Sequence, residues 1–248
     1  MKAPYWDKPW NPIVGCRPIS PACDNCYAKA QTERFKCSFV PHLTNKISPP
    51  TSGVVFCGNM TDLFGEWVTA RSAAKYIEQT IGHQRTATYL WLTKRPGTLA
   101  RALRVGVCAY DDDCRGMRKG MPFRCCDFDN QYFGFTAENQ EWFDKRFVTW
   151  YEHVPLWANA WVSAEPLLGP INLHLERFMF RWVVVGSESG PRRRPCNLDW
   201  VFDIVGQCAR AGVPVYVKQL EIDGKCERDI SKFPKELQRR EVPWEVKD

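Results

Sequence analysis

The alternation of apolar and polar segments predicts an α/β fold: a partial (β/α)6-type, TIM-like barrel over residues 1–220, with a cysteine-rich insertion at 106–130 and a C-terminal extension at 221–248. Two features carry this expectation. Short runs rich in β-branched and aromatic residues, at 54–59, 88–94, 131–136, 157–164, 182–186 and 213–218, have the near-continuous apolar character of buried parallel strands. Between them, 66–81, 97–103, 139–153 and 198–211 carry apolar residues at helical spacing. The last of these is bracketed by Asn197 as N-cap and Gly212 as stop.

Strand–helix alternation with right-handed crossovers builds either an open doubly wound sheet or a barrel. The strand endings favour the barrel: Asn59 and Asp62, Lys94 and Arg95, Glu138 and Asn139, Ser163 and Glu165, Glu188 and Ser189, Lys218 and Gln219. A barrel gathers its strand C-terminal ends into one mouth, so these polar residues, distant in sequence, would face a shared site.

In a chain of 248 residues, 44% hydrophobic and 25% charged residues fit one globular domain. No apolar run is long enough to span a bilayer, and the opening MKAPYWDKPWNP lacks the apolar core of a signal peptide, so a cytoplasmic protein with no membrane partner is expected. In a reducing compartment, 12 cysteines point to metal or redox roles rather than disulfides. The net charge of +6 is compatible with a polyanionic partner without requiring one.

Cys16, Cys23 and Cys26 are spaced C-x6-C-x2-C and run directly into a helix-like stretch at 27–35. The C-x2-C pair lets two thiolates reach one metal centre across a tight turn, and Pro18 and Pro21 stiffen the wider loop so that the third converges. Three thiolates leave one iron of a four-iron cluster open, whereas structural zinc and ordinary electron-transfer clusters take four protein ligands. The alternative is zinc with Cys37 as the fourth ligand. Against it, the helical run carries Cys37 roughly 15 Å along the axis at about 1.5 Å per residue.

After the strand at 182–186, GSESGPRRRP offers Glu188, Ser189, Arg192, Arg193 and Arg194; consecutive guanidiniums suit phosphate, although a solvated charged loop has the same composition. Lys218 is either a substrate contact or a salt-bridge partner. Cys108, Cys114, Cys125 and Cys126 in the insertion are either a zinc-stapled loop that touches DNA or free or paired thiols. The histidines are scattered without metal-ligand spacing.

In order along the chain, GCRPISPACDNCYA, GNMTDLF, LWLTKRP, GFTAENQ, VSAEPLLGPI, VVVGSESGPRRRP and AGVPVYVKQ resemble a phage and bacterial family described as three-cysteine-motif phage proteins. The first motif is similar to the cluster loop of the radical S-adenosylmethionine superfamily, in the variant with a six-residue first gap. That resemblance implies a four-iron (4Fe-4S) cluster on Cys16, Cys23 and Cys26, with S-adenosylmethionine chelating the open iron through its amino and carboxylate groups. It further implies an electron donor of flavodoxin or ferredoxin type and a 5′-deoxyadenosyl radical that abstracts hydrogen from substrate, the protein supplying position and shielding.

The resemblance also implies roles for individual residues. Asn25 stands before the last cysteine, where an aromatic is common, which leaves the adenine contact to Tyr27. Asn59 and Asp62 are expected to receive the cofactor's ammonium group and Glu138 its ribose, each with helix capping as the alternative. Ser163 and Glu165 complete the cofactor set, Glu165 needing a partner such as Lys94 or Lys218 if no ligand supplies one. Lys94, Glu188, Ser189, Arg192, Arg193 and Lys218 are expected on the substrate.

The function expected on these grounds is that of a radical enzyme, of isomerase or lyase type, acting on a nucleic-acid base. Rearrangement of a hypermodified thymidine in phage DNA fits best, with a duplex base flipped out to reach the barrel mouth. A radical lyase repairing damaged pyrimidines is the nearest alternative. A non-catalytic, zinc-containing nucleic-acid-binding module is the alternative from another class.

Overall fold

The computed structural model describes residues 4–46, 48–81, 83, 86–106, 128–156, 158–190 and 192–244. In chain order the elements are β1 (Lys8–Trp10), β2 (Ile13–Val14), α1 (Tyr27–Arg34), β3 (His42–Leu43), β4 (Gly53–Cys57) and α2 (Ala70–Glu78). There follow β5 (Ala87–Thr93), α3 (Pro96–Gly106), β6 (Gln131–Thr136), α4 (Gln140–His153), β7 (Asn159–Ala164) and β8 (Trp182–Val185). The chain continues through α5 (Leu198–Ala211), β9 (Val215–Val217), β10 (Leu220–Ile222) and β11 (Lys225–Glu227). The cysteine-rich insertion lies almost wholly outside the described residues, including Cys108, Cys114, Cys125 and Cys126.

One seven-stranded sheet in the order β1-β4-β5-β6-β7-β8-β9 organises the molecule, and its strands are parallel. Every strand lies beside the next one in sequence order within the sheet, so the sheet winds in one direction and curls into a half-barrel. Tyr5 gives the measure of that curl: its ring centroid is 6.1 Å from Phe56 on β4 and 5.4 Å from Tyr216 on β9. In a flat sheet those two strands would stand about 24 Å apart at the usual strand spacing.

Alternate residues separate the two faces, as strand geometry requires. Val55, Tyr89, Trp91, Phe133, Phe135, Val162, Val183, Val185, Val215 and Val217 belong to the larger core, which the helices cover. Helix α3 packs against both α2 and α4, and α5 lies on β8. Phe56, Leu90, Tyr132, Trp161, Trp182, Val184 and Tyr216 form a second cluster on the concave face, with Tyr5 at its centre. Such a filled interior replaces the closed wall of a full barrel.

Gly134 makes room for part of this filling. It pairs with Trp161 across β6 and β7, and a Cβ at Gly134 would stand 2.6 Å from the Trp161 indole. The indole Nε1 lies over β6 and donates to the carbonyls of Trp91, at 3.1 Å, and Tyr132, at 3.2 Å.

The strands expected from the sequence match β4 to β9 to within a few residues at their ends. The sequence also pointed to a helix at 198–211, and α5 has that span: the Asn197 side chain accepts from the Asp199 N–H, and Gly212 closes the helix at φ 65°. The helix expected at 66–81 is shorter, because Thr69 caps it by accepting from Ser72 N–H. Two differences affect the strand–helix pattern. A short edge strand, β1, precedes the cysteine segment, and the described residues between β7 and β8 form no helix. The C-terminal extension packs onto the sheet: Arg240 bridges antiparallel to Tyr216, Trp182 Nε1 donates to the Glu241 carbonyl, and the Trp244 ring lies 5.0 Å from Trp182. No helix among the described residues is long and apolar enough to cross a membrane.

Replacing Gly134 with alanine pushes a methyl into the Trp161 ring, an overpacking that costs about 1–3 kcal/mol. Urea unfolding of Gly134→Ala should show a loss of that size; an unchanged unfolding free energy would contradict the packing described for the concave face.

Candidate functional site

The strand C-terminal ends open on a cavity of about 450 Å³. Its floor is the apolar top of the concave cluster, contributed by Tyr5, Phe56 and Leu92. Cys16, Cys23, Cys26 and Tyr27 come to its wall from the segment between β2 and α1. Asn59 and Asp62 after β4, Lys94 after β5, Ser163 and Glu165 at β7, Glu188 and Ser189 after β8, and Lys218 after β9 complete the wall. Twelve of the fifteen residues expected on the cluster, the cofactor or the substrate therefore share one cavity. Glu138, Arg192 and Arg193 do not line it.

The cysteine segment has little core of its own, and strand-end groups hold it on both sides of each cysteine. Before Cys16, Gly15 donates its N–H to the Met60 carbonyl and its own carbonyl accepts from Thr61 Oγ1 at 2.6 Å. Gly15 takes φ 98°, and a Cβ there would meet the Val40 carbonyl oxygen at 2.4 Å, so only glycine fits. After Cys16, the Arg17 carbonyl accepts from Arg95 Nη2 at 3.0 Å.

Around Cys23 and Cys26 the anchors are carboxylates and their cations. Lys94 Nζ donates to Ser20 Oγ at 2.9 Å and to Cys23 Sγ at 3.3 Å. Arg194 Nη2 donates to the Pro21 carbonyl at 3.0 Å, while its Nε and backbone N–H donate to Glu188 Oε2. Asn25 Nδ2 donates to Glu188 Oε2 at 3.0 Å and to the Arg192 carbonyl at 2.8 Å. Tyr27 donates its hydroxyl to the Asn59 carbonyl, fixing the start of α1.

Several carboxylates expected on ligands are engaged by the chain itself. Asp62 accepts from Thr93 Oγ1, the Lys94 N–H, the Phe64 N–H and Arg95 Nη1, all within 3.2 Å. Glu138 is 0% exposed and pairs with Arg146, itself 3% exposed, with Lys94 Nζ 3.8 Å away. Glu165 accepts from Lys218 Nζ at 2.6 Å and Gln219 Nε2 at 2.8 Å. Arg193 is spent on the Gly190 and Gly224 carbonyls, tying its loop to the β10–β11 hairpin.

These pairings set the protonation states. Burial would raise the Glu138 carboxyl, but Lys94 and Arg146 outweigh it and hold it below its ordinary value. Glu188 is also raised by burial and then brought below its ordinary value by donors from Arg194 and Asn25. Burial pushes Cys16 up to about 11, with Asp62 adding to the effect. Cys23 goes the other way: burial is outweighed by Lys94 and the donors around Ser20, so its thiol lies below the usual value.

Among the described residues, no three or more His, Cys, Asp or Glu side chains converge closely enough to hold a metal ion. Cys16, Cys23 and Cys26 nevertheless put three thiols of one loop on the wall of one cavity, a donor set whose chemistry would fit a thiolate-bound metal group. Cys37 is exposed and outside the cavity wall, its Sγ beside the Phe35 carbonyl.

Asn11, Ser20 and Arg146 are structural members of the site that no sequence pattern singled out, and Arg95 and Arg194, expected near the mouth, turn out to hold the cysteine segment. Asn11 donates to Asn59 Oδ1 at 2.7 Å. Arg95 stacks 5.0 Å from the Trp67 ring while pairing with Asp62. Their signals were faint: Asn11, Ser20 and Arg95 take partners more than thirty residues away, and Arg146 and Arg194 find theirs only once the chain has turned back on itself.

Fold and site together define a half-barrel α/β protein with a cysteine-bearing mouth at the strand C-terminal ends. The chain belongs to the family described as "Protein of unknown function (DUF5131)", whose model matches residues 2–242. No curated protein matches the chain, and no solved structure does.

The Glu138–Arg146 pair yields a pH test. Because the folded carboxyl titrates below its ordinary 4.5, its stabilisation is complete above that pH and is lost as pH falls through the folded value. Glu138→Gln leaves a buried guanidinium without its counter-charge, at a cost of about 3 kcal/mol at pH 7. In urea unfolding, the gap between wild type and variant should narrow below about pH 4.5; a gap independent of pH would contradict the ion pair.

Proposed function

We propose that this protein is a radical S-adenosylmethionine enzyme that carries a four-iron cluster on Cys16, Cys23 and Cys26 and acts on a nucleic-acid base. The observation that carries the proposal is the presence of three cysteine side chains, and of Tyr27, on the wall of the cavity into which the strand C-terminal ends open. Parallel barrels concentrate their chemistry at that end. On this reading the sheet is a partial (β/α)6-type barrel and the protein works in the cytoplasm, supplied with electrons by a flavodoxin or ferredoxin.

Cys16, Cys23 and Cys26 would hold the cluster, and the bound cluster and S-adenosylmethionine would supply the radical chemistry. The chain's own part is positional. Lys94, Arg95, Arg194 and Glu188 keep the cysteine loop against the strand ends. Tyr5, Phe56 and Leu92 give the cavity an apolar floor that keeps water from beneath a reactive species. Glu165 and Lys218 present a paired charge in which each partner can exchange its contact for a ligand group.

Support for a nucleic-acid substrate comes from the rim. Arg228 lines the cavity, and forked guanidinium donors suit phosphate oxygens. A thymidine already carrying a substituent is the substrate we favour, with rearrangement as the reaction.

The test is S-adenosylmethionine cleavage under oxygen-free, reducing conditions after loading with iron and sulfide, with modified DNA supplied. The wild-type chain should release 5′-deoxyadenosine. Cys16→Ala, Cys23→Ala and Cys26→Ala should each abolish it, while Cys37→Ala should retain it. Full cleavage in any of the first three, or a wild-type chain that takes up zinc and no iron, would overturn the proposal.

A further inference from the structure

We propose that Lys94 is a positioning residue for Cys23 that also sets the reduction potential of a cluster bound there, rather than a contact for the substrate. The inference rests on the cluster proposed above for Cys16, Cys23 and Cys26, and goes beyond it by giving one strand-end cation a defined task.

Lys94 follows directly after β5, and its ammonium lies inside the wall of the cavity. An ammonium has three donors and no acceptor. One goes to Ser20 Oγ at 2.9 Å, one to Cys23 Sγ at 3.3 Å, and Glu138 Oε1 lies 3.8 Å away. The group is therefore surrounded by acceptors from the chain, with little left to offer a ligand. Glu138 does not neutralise it alone, because that carboxylate is shared with Arg146. Two cations and one anion leave a net positive charge beside the sulfur.

Cys16 has a different environment. Its Sγ lies 3.6 Å from the Arg17 carbonyl oxygen, and the two charges that act on it, Asp62 and Arg95, are paired with each other at 3.2 Å and offset one another. The surroundings of the loop are thus asymmetric, with the positive side at Cys23. Reducing a cluster adds negative charge, and hydrogen bonds and cations at a ligating sulfur stabilise the reduced form. In a partly buried wall this stabilisation is not screened as it would be in bulk water.

The experiment is a redox titration followed by electron paramagnetic resonance, on full-length protein loaded anaerobically with iron and sulfide, for wild type, Lys94→Met, Lys94→Arg and Lys145→Met. Lys145 lies on the exposed face of α4 and controls for the loss of any one positive charge. In Lys94→Met the ratio of reduced to oxidised cluster at a fixed potential should fall by about tenfold, a downward shift of about 59 mV for one electron. Lys94→Arg should keep most of the wild-type potential, and Lys145→Met all of it. Loss of iron from Lys94→Met, with iron kept in Lys94→Arg, also supports the contact. A loaded Lys94→Met with the wild-type potential overturns the inference and leaves the cluster assignment standing. A wild-type chain that takes up no iron overturns both.

Discussion

The structure depends on the grip that strand ends exert on the cysteine segment. That segment contributes few residues to the core: Ile13, Ala22 and Ala28 are its buried apolar side chains, whereas Phe35, Val40 and Leu43 are exposed. Its shape is therefore set by polar contacts with the sheet, and those contacts fall on residues adjoining the cysteines. Gly15 and Arg17 are held by Thr61 and Arg95, Ser20 and Pro21 by Lys94 and Arg194, and Asn25 and Tyr27 by Glu188 and the Asn59 carbonyl. Elements far apart in sequence thereby set where three thiols point.

This grip requires the curl. Tyr5 bridges the concave face, Trp161 lies across β6 at Gly134, and Trp244 closes on Trp182 from the tail. Without that filling, the ends of β4 and β9 would separate and the wall of the cavity would open. The ion pairs above the filling are expensive to bury, since each charge gives up water, and they persist because each is also hydrogen-bonded. Their return is in specificity of geometry: Asp62, Glu138 and Glu188 each fix more than one neighbour.

Much of this was legible in the sequence, and the boundary has a physical cause. Strands and helices announced themselves through local periodicity, as in α5 with its Asn197 cap and Gly212 stop. The polar strand endings announced a common mouth, because a parallel sheet that winds in one direction leaves no other place for them. What local pattern does not encode is which partner a charge selects. Glu138 looked available to a ribose, yet Arg146, eight residues on and one helical face away, buries with it. Asp62 looked available to an ammonium, yet the start of the next strand's loop saturates it. The three-residue β1 is too short to show a period, and the closing role of Trp244 depends on a contact with Trp182, more than sixty residues away.

The central claim is that three cysteines, held from both sides by strand-end groups, would leave one iron of a bound cluster without a protein ligand. It is tested most directly by the electron paramagnetic resonance spectrum of the reduced, iron-loaded protein before and after S-adenosylmethionine is added. The account expects the cofactor to shift the spectrum, because it would bind at the open iron. A reduced cluster whose spectrum stays the same at saturating cofactor would contradict it.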